Sequence, residues 1–143
     1  MKRLSIFSFV LFTLFSVGCA DAEDSSSLSR ISHWSLSDDE GGFSYAISIW
    51  KGKQDLMISY SFVYEDGGRV NATVETEDFR SLTALGNDCY QSTAIDYIEA
   101  PKEEFEIIMC EREEKMFWSL LSTDNPSFVP QHAVLNKYDL SSN

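Results

Sequence analysis

Basic residues are scarce in this 143-residue chain: 11 Lys and Arg stand against 23 Asp and Glu, a formal charge of −12. A surface of that sign repels phosphates, which excludes nucleic acid as a partner. Histidine occurs only at His33 and His132, and neither lies at metal-ligand spacing from Cys, Asp or Glu. The chain has no Gly-x-Ser-x-Gly elbow and no phosphate-binding glycine loop. These absences lead to the expectation of a non-enzyme with no catalytic residue, no metal and no cofactor. Proline is confined to Pro101, Pro126 and Pro130, so the segments before them are free of a residue that cannot donate to a sheet. Beyond Val17 there is no apolar run approaching the roughly 20 residues that span a bilayer.

What is present begins with an export signal. Met1, Lys2 and Arg3 precede an almost unbroken apolar and hydroxyl stretch from Leu4 to Val17, the layout of a signal peptide over residues 1–22. Two cleavage chemistries compete at its end. Ala20-Asp21-Ala22 is a small-x-small site, whereas Val17-Gly18-Cys19 matches a bacterial lipobox, with Ser16 where leucine is usual, ending the signal at residue 18 and placing lipid on Cys19. A membrane enters only through that lipid. Either route leaves Cys89 and Cys110 as the ordinary thiols, and an oxidising periplasm turns them into a disulfide worth roughly 3 kcal/mol by loop entropy. Removal of residues 1–18, with Lys2 and Arg3, takes the formal charge from −12 to −14. Such a field speeds encounter with a basic partner, and it also keeps a protein soluble.

The Ser- and acid-rich stretch after the signal predicts a flexible leader over residues 23–32, and residues 33–143 read as a single domain. Phe43, Tyr45, Ile47 and Ile49 alternate with Ser44, Ala46 and Ser48. Leu56, Ile58, Tyr60, Phe62 and Tyr64 repeat the pattern, and Val70, Ala72 and Val74 continue it after the turn Glu65-Asp66-Gly67-Gly68. Thr76-Glu77-Asp78 reads as the start of a short helix, with Phe79, Leu82 and Leu85 as its apolar stripe and Gly86 as its stop. Ser92 to Ile98, Phe105 to Arg112 and Met116 to Leu121 read as strands apolar on both faces, to be covered by the helix, by the first meander or by a second copy of the chain. One or two helical turns are expected from Gln131 to Tyr138. The expected fold is mainly β with one short α-helix, antiparallel sheets in a meander or sandwich-like arrangement.

Paired acids such as Asp38-Asp39-Glu40 and Glu113-Glu114 suggest glycoside cleavage in principle, but a chain this acidic produces pairs by composition alone. Asp38-Asp39-Glu40-Gly41-Gly42 lacks the ligand spacing of a calcium loop. Asn71-Ala72-Thr73 matches a glycosylation sequon but falls in a predicted strand. The segment from Asp96 to Glu104 is more informative. It joins Tyr97, Pro101 and the acids Asp96, Glu99, Glu103 and Glu104 inside the predicted disulfide loop, a preorganised projection of the kind that loses little entropy on binding. The turn Glu65, Asp66 to Arg69 is a second candidate for the same role.

An export signal, an acidic β-rich domain, the pair Cys89 and Cys110 and the lack of catalytic motifs together resemble the periplasmic immunity proteins of type VI secretion. Those proteins protect against peptidoglycan-degrading, muramidase-type toxins and are akin to periplasmic lysozyme inhibitors. The resemblance implies a cognate peptidoglycan-hydrolase toxin as partner and occlusion of its cleft. It carries no binding residue across, and the charge and composition of the Asp96 to Glu104 loop put Tyr97, Glu99 and Glu103 foremost among the expected contacts. The rival expectation is an envelope lipoprotein that binds cell-wall glycan or assists envelope assembly.

Overall fold

The structure, a computed structural model, describes residues 28–38, 40–64, 68–122 and 126–139. The signal segment with Cys19, and Glu65 and Asp66 of the second candidate turn, lie outside these residues. Period-two alternation governs what is described. In the segment Leu56–Tyr64, Ile58, Tyr60 and Phe62 are buried, and the intervening serines sit on the opposite face. In Glu103–Arg112, Phe105, Ile107 and Met109 point inward while Glu104 and Glu106 are exposed. The strands are β1 (Ser29–Asp38), β2 (Phe43–Lys51), β3 (Leu56–Tyr64), β4 (Arg69–Ala72), β5 (Arg80–Gly86), β6 (Cys89–Asp96), β7 (Glu103–Arg112), β8 (Lys115–Leu120) and β9 (His132–Lys137).

They pair in the order β2-β1-β9-β8-β7-β6-β5-β3, and β3 returns to β2, closing an eight-stranded antiparallel barrel. β4 joins the outer part of β3 as a ninth strand. The mainly β expectation holds, but the sandwich-like arrangement gives way to a barrel. The physical reason lies at the two ends of the chain. β1 and β9 pair through Trp34 with Lys137 and Ser35 with Asn136, so the sheet has no free ends to stack as two layers. β1 begins at Ser29, so Ser29 to Ser32, expected in the leader, belong to the wall.

Two expected helical segments are also corrected. Only Thr76–Asp78 forms a single 3₁₀ turn, started by Glu75, whose N–H donates to the Asp78 carboxylate at 3.3 Å. The rest becomes β5, because Leu56 to Ile58 of β3 have a free edge that Leu82 to Arg80 fill. Tertiary pairing overrides the local start signal there. Gln131 to Tyr138 contributes β9 rather than helix, alternating buried Ala133 and Leu135 with exposed Val134 against β8.

Side chains fill the barrel. Trp34, Trp118, Phe62, Ile107, Met109, Met116 and Leu135 are all buried, Phe62 stacks on Tyr60 at 4.8 Å and meets Trp118 edge-on at 5.2 Å. The interior is thus a packed core. One stretch of wall is held differently. β6 pairs with β5 only from Cys89 to Gln91, so among the described residues its upper half has no paired strand on that side. Small inward residues Ser92 and Ala94 leave room for the Tyr60 ring to cross from β3, and its hydroxyl accepts from the Ile95 N–H at 2.7 Å and donates to the Ile95 carbonyl at 3.1 Å. Burial holds that phenol well above its ordinary range, so it stays protonated.

Candidate functional site

Strand direction sorts the connections onto the two ends of the barrel. The β1–β2 turn, the β3–β4 turn, the β6–β7 loop and the segment between β8 and β9 share one rim. The β2–β3, β5–β6 and β7–β8 turns share the other. The Asp96 to Glu104 loop and Arg69, the described residue of the second candidate, therefore come to the same rim.

The β6–β7 loop is built around a buried carboxylate. Asp96 is 2 % exposed. Its Oδ1 accepts from the Ile98 N–H at 2.9 Å and the Glu99 N–H at 3.2 Å, and its Oδ2 accepts from the Phe128 N–H at 3.3 Å. Three backbone N–H groups bonded to one buried side chain fix the loop base. Tyr97 is half-buried: its N–H donates to Asn71 Oδ1 at 3.2 Å, and the Lys102 ammonium lies 5.0 Å from its ring centre. Beyond them Glu99, Ala100, Pro101, Lys102, Glu103 and Glu104 are exposed, with a cis bond between Ala100 and Pro101. Glu104 accepts a hydrogen bond from the Thr93 hydroxyl. The structure thus divides the expected contact set, with Asp96 and Tyr97 at the base and Glu99, Glu103 and Glu104 on the surface. A small cleft of about 80 Å³ separates the loop from Pro126, lined by Asp96, Glu99, Glu103 and Phe105.

Arg69 stands across the rim, its guanidinium 5.1 Å from the Phe128 ring centre. Phe128 meets Tyr64 edge-on at 5.4 Å, Tyr64 lies 5.7 Å from Tyr45, and Tyr45 stacks on Phe43 at 4.8 Å. These rings, with Gly41, Gly68 and Arg69, line a depression of about 570 Å³. Burial raises the Tyr45 and Tyr64 hydroxyls above the usual range, so both remain protonated. The turn bordering the depression is set by Asp38, whose Oδ1 accepts from the Glu40 and Gly41 N–H groups at 3.1 and 2.9 Å. A Cβ at Gly41 would come within 2.7 Å of the Asp38 carboxylate, and Gly42 has φ 67°, which suits glycine. A further depression of about 490 Å³ by Gly52 to Asp55, Met57 and Thr76 is at the opposite end, away from both candidates.

Asn71 and Phe128 join the two halves of the rim. The Asn71 amide donates to the Ile95 carbonyl at 2.9 Å and the Phe128 carbonyl at 2.8 Å while accepting from Tyr97. Fully buried and engaged at both ends of its amide, Asn71 cannot carry a glycan in the folded protein. The sequence singles out Asn71 only as a sequon and does not single out Phe128. Phe128 had a signal, an aromatic bracketed by Pro126 and Pro130, whereas Phe43, Tyr45 and Tyr64 read simply as core positions.

Cys89 and Cys110 face each other across the β6–β7 ladder and are disulfide-bonded, on the outer wall and remote from the loop tip. A formed disulfide fits an oxidising, non-cytoplasmic compartment. Among the described residues no group of three or more His, Cys, Asp or Glu is gathered as a metal site, and no helix is long and apolar enough to cross a membrane. His33 Nδ1 lies 2.8 Å from the Ser48 hydroxyl, and burial followed by the Arg30 charge lowers its pKa. The chain matches no protein-family model, no curated protein and no solved structure.

Proposed function

We propose that this protein is a periplasmic immunity protein that binds a peptidoglycan-degrading, lysozyme-like toxin and blocks its substrate cleft. The observation that carries this reading is the β6–β7 loop, an exposed acidic tip on a base fixed by the buried Asp96 carboxylate. A tip ordered during folding loses little further entropy on entering a cleft. In this reading Glu99 and Glu103 pair with basic groups of the cleft, and the ring-lined depression beside Arg69 receives a side chain from its lip. Asp96, Asn71 and Tyr97 position the tip rather than touch the toxin.

The test is a peptidoglycan lysis assay with the hydrolase encoded beside this gene. Equimolar mature protein should abolish lysis. The variant carrying Glu99→Lys and Glu103→Lys should retain the melting temperature of the parent and lose inhibition by about tenfold or more, a size in keeping with loss of interface charge pairs. Undiminished lysis in the presence of excess parent protein would reject the function. Full inhibition by the double variant would reject the loop.

A further inference from the structure

On the outer wall, away from the rim, the structure presents an apolar band that the barrel itself leaves uncovered. Register pairs set Cys89 beside Cys110, Cys110 beside Phe117, and Phe117 beside Val134, in one row across β6 to β9. The next outward row runs through Gln91, Ile108, Ser119 and His132. Phe117 is 41 % exposed and Val134 43 %, and Leu121 extends the band toward the rim. Apart from His132, neither row holds an ionisable side chain, in a chain where 24 % of residues are charged. The apolar part is the Phe117 row together with Ile108 and Leu121, bordered by the uncharged Gln91 and Ser119; contiguity of this kind marks an interaction surface more than scattered apolar residues do.

The charges bordering the band say which partner fits. Read along its outward face, β7 presents Glu104, Glu106, Ile108, Cys110 and Arg112, two acids, then the apolar pair, then a base. Lys115 sits beside Arg112 on β8, and the acids Glu113 and Glu114 are in the turn beyond the sheet's end. A two-fold axis in the contact plane, perpendicular to the strands at the level of Met109, would bring two such faces together antiparallel. Glu106 then lies opposite Arg112 of the second copy on both sides of the axis, and the Phe117 row lies on the Ile108 row. The axis parallel to the strands would instead set Glu106 against Glu106. The pattern is therefore self-complementary in the manner of an isologous interface.

We propose that a second copy of this chain covers the β6–β9 outer wall in an antiparallel two-fold dimer. This goes beyond the inhibitory reading and does not use its rim. In such a dimer the two rims face opposite directions, so each copy can engage a partner of its own.

Sedimentation equilibrium of the mature protein, from low to high micromolar, tests the proposal. The parent should show twice the chain mass. Phe117→Asp combined with Val134→Asp should return it to the chain mass with its circular dichroism and melting behaviour intact, since both residues lie on the surface. Arg112→Glu and Glu106→Arg should each weaken the dimer about tenfold, and the two together should recover most of the loss, the signature of a direct charge pair. A parent that is monomeric throughout overturns the proposal, as does a dimer that survives the Phe117 and Val134 changes. Failure of the paired swap to recover affinity overturns the antiparallel arrangement. Lysis inhibition by the monomeric variant, measured separately, reports on the rim and not on this face.

Discussion

Two indoles illustrate how differently single buried residues contribute. Trp118 donates its Nε1 hydrogen to the Pro130 carbonyl at 2.7 Å, tying β8 to the segment that carries Phe128. Trp34, equally buried, has no hydrogen-bond partner for its Nε1 among the described residues. Phenylalanine removes comparable volume at either place, but at position 118 it also orphans a buried carbonyl. Trp118→Phe should therefore cost about 1–3 kcal/mol more than Trp34→Phe, measured by urea unfolding of the two variants. Equal costs would show that packing alone accounts for Trp118. At this scale the sequence was only partly legible. It marked Asp96 as an acid in a candidate loop, but burial and bonding to Phe128 depend on a contact 32 positions along the chain, which no local pattern encodes.

Among the elements, β2, β3, β7 and β8 could be read from alternation because each carries large apolar residues on its inward face. β1 escaped, since Trp34 and Leu36 are its main inward apolar residues and serines occupy much of the remainder. β5 was misread because Phe79, Leu82 and Leu85 recur at three-residue spacing, yet only Leu82 enters the core and Leu85 is exposed. The β6–β7 hairpin combines the two features that were legible, a cross-strand disulfide at one end and the acidic loop at the other. The bridge spans 21 positions. Cys89→Ala with Cys110→Ala should lower unfolding stability by about 3 kcal/mol through the enlarged freedom of the unfolded chain. Because the bonds that fix the loop base lie at the far end of the hairpin, inhibition at a temperature well below the melting point should persist. Loss of inhibition in a variant that remains folded would show that the bridge also shapes the tip.

For the whole molecule, charge and closure act together. The ring closes through β1–β9 and β2–β3, and the contacts proposed above use its rim and its outer wall. Under the proposed function, the formal charge of −12, or −14 without residues 1–18, would draw a basic hydrolase from a distance. Its association rate with that enzyme should fall about tenfold or more between low and physiological salt, as stopped-flow fluorescence would record, while dissociation changes much less. A rate indifferent to salt would assign the acidity to solubility. The composition foretold this charge but not the barrel, because closure depends on β1 finding β9 across the length of the chain.

Asn71 is a single carboxamide bonded to the wall at Ile95, to the loop base at Tyr97 and to the strap at Phe128. Mechanically it is a rivet. A pull on the tip of the β6–β7 loop is transmitted through it into β4, and from there through the ladder into β3, instead of being absorbed by bending of the loop. The base of the loop and the β4 strand that begins at Arg69 are thus joined through one side chain.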